Sequence, residues 1–284
     1  MNYDVYTGIL RMTDKFRKDN DCIRIRYIYN GKEAKELKDK YHIDEVAGRV
    51  NEENMAINLL NWLSDHVYHK GDYGNKYSVN NALDLLSYSY NKGSKYGINC
   101  RGLSIILTEC CLAMGMKARI VYLMPFSPYD GDNHVVCEVF ISEKRKWIML
   151  DPTYSGYIMD NNYNIYSILE LRYALASRTS IKFSEKFNYN GDYEIDFKEM
   201  ETYYAKNLFY LSCREIQTFN SEQLNDNRTI VFAPLGYDVK KSMIINVDFK
   251  VEKWGNNPWI KRKIEFINKN NLIYASDSEL KKLP

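Results

Sequence analysis

YGINCRGLSIILTECCLAMGMKARIVYL, residues 96–123, is the stretch on which the fold turns. Leu103, Ile106, Leu107, Cys110, Cys111 and Met114 recur at the three-and-four spacing of a buried helical stripe. Asn99 is placed to cap that helix and Gly115 to end it. Cys100 therefore falls on the first turn, where unsatisfied backbone N–H groups and the positive end of the macrodipole favour thiolate over thiol. Cys110 and Cys111 lie deeper on the apolar side, and Cys137 and Cys213 sit amid apolar patterns, so these four read as packing residues.

A thiol nucleophile needs a base to hold its proton, and the chain has only four histidines. His42 lies in the charged run KYHIDE. His66 and His69 have i, i+3 spacing, which suggests a metal with Asp65 or Asp72 less readily than two solvated side chains at a frayed helix end. His134 opens the strand HVVCEVFIS directly after the polar loop SPYDGDN. Asp130, Asp132 and His134 would make a poor cation site, since a turn with two aspartates and no further acidic ligands is ordinary turn chemistry. Asp151 closes the neighbouring strand KWIMLDPT, and in a hairpin it shares a face with His134 whenever the register sum is odd. A turn at Ser142 and Glu143 sets the two directly opposite. A turn at Lys144 and Arg145, which the composition EKRK suits better, puts Glu138 opposite Asp151 and leaves His134 roughly 13 Å along the strand.

Around this centre the chain reads as α then β. CIRIRYIYNG alternates and turns before a short charged helix, NEENMAINLLNWLSDHVYHKG is a helix running to about Gly71, and VNNALDLLSYSYNKG is another with Asn80 as cap and Gly93 as stop. IYSILELRYALAS and DFKEMETYYAKNLFYLSCREIQTF read as further helices. TIVFAPLG, KSMIINVDFKVEKW and KRKIEFINKNNLIYAS read as β, with turns at Gly236 and GNNP. The expected division is an N-terminal strand and helix extension over 1–50, a core over 51–180, and over 181–284 a helix followed by a β-rich region.

With 284 residues, 45% of them hydrophobic, the chain is long enough for a sizeable core. The net charge of +2 supplies no global field that would steer it to nucleic acid or an anionic membrane. Six cysteines spread thinly, without a CxxC pair, read as mostly reduced and buried. No positive segment followed by about 7 to 15 apolar residues opens the chain, and no run approaches the roughly 18 a membrane span needs, so the cytoplasm is expected. The 25 tyrosines hint at a sugar-binding surface less strongly than at genomic bias, given the abundant Asn, Lys and Ile.

GINCRG at a helix start, then GMKARIVYL, NHVVCEVF and WIMLDPT, resembles the transglutaminase-like superfamily. Its bacterial members typically read G-x-C at a helix start, G-(I/M)-(P/K)-A-R, H-x-x-x-E-V and W-x-x-x-D-P-T. The likeness runs from about Val79 to Tyr154. It implies an α+β, papain-like core with the Cys helix packed on an antiparallel sheet, and Cys100, His134 and Asp151 as nucleophile, base and orienting acid. The implied activity is acyl transfer on a peptide or protein amide, without metal or cofactor, peptidase or amidase chemistry being preferred to crosslinking because no acceptor-amine site is identified. A second oxyanion donor is sought just upstream of Cys100, at Tyr96 or Asn99, although Tyr96 could equally pack and Asn99 serve only as the cap. Arg101 stands where many members carry a smaller or uncharged residue, and either alters what reaches the thiol or is a solvated first-turn side chain. The competing class is a catalytically silent peptide-binding or scaffold module with the same fold.

Overall fold

The computed structural model describes residues 2–17, 23–72, 81–224, 227–255, 260, 264–265, 267 and 272–282. Its centre is a six-stranded sheet of β2 (Ala118–Met124), β3 (His134–Ile141), β4 (Lys146–Leu150), β7 (Tyr210–Arg214), β9 (Thr229–Phe232) and β10 (Leu272–Tyr274). The strand order is β10-β9-β7-β2-β3-β4, antiparallel throughout except for the parallel β9–β10 edge pair. The short pairs β1 (Arg26–Tyr27) with β8 (Ile216–Gln217), and β5 (Ile158–Met159) with β6 (Lys182–Phe183), lie outside it.

Helices cover both faces. On one face α2 (Lys32–Tyr41), α3 (Ile43–Ala47), α4 (Glu52–His66), α5 (Ala82–Ser89) and α6 (Cys100–Ala113) share a core with Ile120, Val135, Cys137, Val139 and Ile148. On the other, α1 (Tyr3–Met12), α7 (Ile168–Ala176), α8 (Phe197–Asn207) and α10 (Asp277–Lys281) pack on Val121, Leu123, Val136 and Met149. Burial on both faces explains why β3 reads as an almost unbroken apolar run and has all eight residues buried.

Helix α6 is buried around its whole circumference, every residue from Gly102 to Ala113 included, so the apolar stripe understates its burial. At roughly 1.5–3 kcal/mol for each large aliphatic side chain removed from water, this contact anchors the N-terminal half to the sheet. Asn99 caps the helix, its Oδ1 accepting from Gly102 N at 3.0 Å, and Gly115 at φ +83° turns the chain out of it. Helix α5 is capped by Asn81, whose Oδ1 accepts from Asp84 N, and both α4 and α5 stop short of the expected ends, at His66 and Ser89. Asn80, Cys22 and residues 256–258 of the GNNP turn lie outside the described residues.

Two segments differ from the expected pattern. DFKEMETYYAKN is helical as α8, but Tyr210–Arg214 is a strand, because pairing with β2 and β9 in the sheet centre overrides its helical periodicity. KSMIINVDFKVEKW, expected as β, belongs to α9 (Val239–Trp254). Asp238 caps that helix on Lys241 N at 3.0 Å, Gly255 at φ +72° ends it, and Met243, Val247 and Val251 repeat at i+4 against Ile260 and Ile267. The late strands β7, β9 and β10 extend the central sheet itself.

Candidate active site

Cys100 is the first residue of α6, half-buried, with no acidic side chain in the first turn to oppose an anion there. One turn on, Ser104 Oγ donates to the carbonyl of Val135 at 2.9 Å, and Thr108 lies 3.2 Å from Cys137 Sγ. Residues at i and i+4 share a helix face, so the bond that ties Ser104 to Val135 brings Cys100 to the end of β3, where His134 stands. The imidazole is hydrogen-bonded to Asp151, and Cys100 lies near enough to help raise its pKa.

The β3–β4 register pairs Cys137 with Leu150 and Ile141 with Lys146, leaving Ser142–Arg145 as the loop. The register sum is odd, but the turn falls midway between the two considered from sequence, so that the continued register sets Asp151 opposite Val136. Asp151 is thereby a diagonal neighbour of His134 on the same face, which a carboxylate and an imidazole can span. Contacts from the start of α4 fix this turn: Glu52 accepts from Ser142 N at 2.5 Å and Glu53 from Lys144 Nζ at 2.6 Å. Arg145 closes it at φ +50°.

His134 Nε2 donates to Asp151 Oδ2 at 2.5 Å, and both side chains are almost wholly buried. Asp151 is held further by Thr153 N on Oδ1 at 3.0 Å, by Tyr204 Oη on Oδ2 at 2.5 Å, and by backbone bonds in both directions with Gly156. Burial works against the His134 cation, but the Asp151 carboxylate, helped by the nearby Cys100, outweighs it and pushes its pKa up to about 10. The ring keeps its proton at neutral pH, with Nε2 committed to the carboxylate.

Rings enclose this centre. Tyr154, Tyr203 and Tyr204 lie 5.9, 5.4 and 6.0 Å from the His134 ring, centroid to centroid. His69 also belongs here, contrary to its reading as a solvated helix end. Its segment pairs with Ile98, two residues before Cys100, Asn190 bonds its backbone N–H and C=O, and Nδ1 lies 2.9 Å from Tyr189 Oη. Burial and the neighbouring His134 push its pKa down to about 4, so it is neutral. His66 turns away, with Nδ1 on Trp62 O at 2.7 Å and its ring stacked on Tyr90. Among the described residues no group of three or more His, Cys, Asp or Glu is arranged to hold a metal.

The remaining sequence candidates sit as follows. Asn99 is the cap of α6. Tyr96 is 37% exposed in a 3-10 turn, edge-on to Tyr88, with the Lys92 and Lys95 ammonium groups near its ring. Arg101 pairs with the buried Glu222 at 3.6 Å, which also binds Tyr122 and Arg214, so Arg101 is part of a charged cluster rather than a solvated side chain. The sequence offers no sign of Tyr204 here, and reads His69 as a solvated side chain sooner than a metal ligand. Tyr204 is one of 25 tyrosines and carries no local signal, whereas the place of His69 becomes visible only once its pairing with Ile98, beside Cys100, is known.

Residues 41–152 match the family model of the transglutaminase-like superfamily. Residues 41–152 are thus similar to that superfamily, and the mixed α and β architecture accords with its papain-like fold. A solved structure described as a "putative cysteine protease" from Cytophaga hutchinsonii is similar over 54% of this chain, at 16% identity and a TM-score of 0.34. The match spans about half of that structure's length, 49%. No curated protein matches the sequence.

Proposed function

We propose that this chain is a thiol-dependent acyl-transfer enzyme that cleaves amide bonds of a peptide or protein through Cys100, His134 and Asp151. The observation that carries the reading is the buried 2.5 Å bond from His134 Nε2 to Asp151, made by an imidazole that stands near the thiol at the start of α6. Cys100 Sγ attacks the amide carbonyl carbon, and the backbone N–H of Cys100 helps to hold the oxyanion. As the C–N bond breaks, protonated His134 delivers its proton to the leaving amine, giving a thioester and a neutral imidazole. Water then attacks the thioester, His134 takes one of its protons to become the imidazolium again, and the carboxylic acid leaves as Cys100 returns to the thiolate that began the cycle. Asp151 holds the ring in orientation throughout. Hydrolysis is preferred to transfer onto a second amine because water needs no binding site of its own. Five free cysteines among the described residues, one of them a nucleophile that works only when reduced, accord with a cytoplasmic setting.

The test is alkylation of the native chain by iodoacetamide near pH 7, read by peptide mass mapping. Cys100 is expected to react ahead of Cys110, Cys111, Cys137 and Cys213, which react only after unfolding because they are buried. Cys100→Ala should abolish both the labelling and any amide turnover. Equal reactivity at all cysteines would overturn the enzymatic reading in favour of a peptide-binding module.

A further inference from the structure

We infer that Tyr204 positions Asp151, and through it His134, so that α8 supplies a working part of the active site although it lies outside the superfamily-matched segment 41–152. This rests on the reading of Cys100, His134 and Asp151 as a triad. Asp151 Oδ1 is occupied from within its own loop by Thr153 N, whereas Oδ2 receives two donors, His134 Nε2 and Tyr204 Oη, each at 2.5 Å. Both are charge-assisted bonds of the short, strong kind. Tyr204 is 0% exposed on α8, a helix that packs against α1, α7 and β2, so its hydroxyl is delivered by a rigid element.

Two donors on one oxygen share its negative charge. The hydrogen bond from Tyr204 therefore reduces the charge that Asp151 presents to the imidazolium, and it stops the carboxylate from turning about its own axis. Burial and Asp151 push the Tyr204 pKa well above the ordinary value, which keeps the phenol protonated and a donor throughout. The His134 ring then holds its proton firmly enough to remain cationic beside the thiol, yet less firmly than a carboxylate with a single donor would enforce. The other groups that face this ring or act on it are Cys100, Tyr154 and Tyr203, with His69 and Asp132 in electrostatic range of the same cluster.

The experiment uses the full chain with isotope-labelled histidine and follows the His134 imidazole by NMR across pH, the signal being assigned by His134→Gln. Tyr204→Phe should raise the His134 midpoint by about one pH unit, because the carboxylate loses a bond that stabilised its charge. Replacement of Tyr204 by 3,5-difluorotyrosine, a stronger donor of nearly the same shape, should lower it. A residue that merely fills space would move neither. Should Tyr204→Phe fail to fold, the difluorotyrosine protein decides alone. Midpoints equal to wild type in the folded variants, with selective iodoacetamide labelling of Cys100 intact, would overturn the role of Tyr204 and leave the triad standing. A wild-type His134 that titrates near 6.5, together with unselective labelling, would overturn the triad and this inference with it.

Discussion

Arg119 on β2 stands directly across from Glu138 on β3, and the two form an ion pair at 2.6 Å that is all but sealed from water. Both belong to the motifs GMKARIVYL and NHVVCEVF, and what they hold together is the sheet. Arg119 also donates to Leu280 O and lies over Trp147, while Glu138 accepts from Ile168 N at the start of α7. Removing one partner strands the other charge in the interior, a loss of about 3–5 kcal/mol. Arg119→Met should accordingly lower the urea midpoint with little change in slope. The double variant Arg119→Met with Glu138→Gln should recover part of that loss, since no unpaired carboxylate is left. Additive effects in the double-mutant cycle would show that the pair does not couple.

The raised pKa of His134 makes folding stability depend on alkaline pH. The folded value of about 10 lies above the ordinary 6.5, so the stabilisation is fully present below about 6.5 and is lost as pH climbs towards and through 10. Urea unfolding between pH 6 and 10 should show this decline, and His134→Gln should flatten it. An equal slope in wild type and variant would mean that the ring is not held as a cation in the folded chain.

Glu109 produces a second, separable decline. It is buried within α6, where Oε2 accepts from Ala82 N at the start of α5 and Oε1 from Asn220 N, both at 2.9 Å. Burial raises its pKa to about 8, although those two N–H groups favour the anion. A carboxyl raised above its ordinary 4.5 stabilises the fold below that value and loses the contribution as pH rises through about 8. In Glu109→Gln the part of the slope between pH 5 and 8 should vanish while the part belonging to His134 persists. If the variant keeps the wild-type slope, Glu109 is ionised in the native chain at neutral pH.

Local chemistry made the centre of this molecule readable. Asn99, the apolar stripe and Gly115 delimit α6 without reference to the rest of the chain, and the odd register sum follows from strand parity alone. The turn was harder because Glu52 and Glu53, about ninety residues upstream, select it. Tyr204 and His69 reach the site through tertiary packing, for which a tyrosine in ETYYAKN or a histidine in VYHKG gives no local cue. The α9 segment misled because Ile, Val and Phe suit a strand, while its caps and the i+4 spacing of Met243, Val247 and Val251 favour the helix that formed. Glu109 did leave a trace, as the one charged residue between Gly102 and Lys117.

Gly156 bears on the site through packing. Its backbone pairs in both directions with Asp151, closing the turn that presents the carboxylate. A Cβ added there would lie 2.6 Å from Phe187 Cδ2, 2.7 Å from Ser184 Oγ and 3.1 Å from Phe187 Cα. The last of these contacts is backbone, and Phe187 is itself stacked on Tyr154 beside His134, so relief requires the 151–156 turn to shift. Gly156→Ala should cost about 1–3 kcal/mol in urea unfolding, as overpacking generally does. It should also slow the labelling of Cys100 by iodoacetamide at a urea concentration where the variant remains folded, because Asp151 moves off the His134 ring. Destabilisation with unaltered labelling would show that the shift stops at Phe187 and that the carboxylate is anchored by Tyr204 and Thr153 without help from this turn.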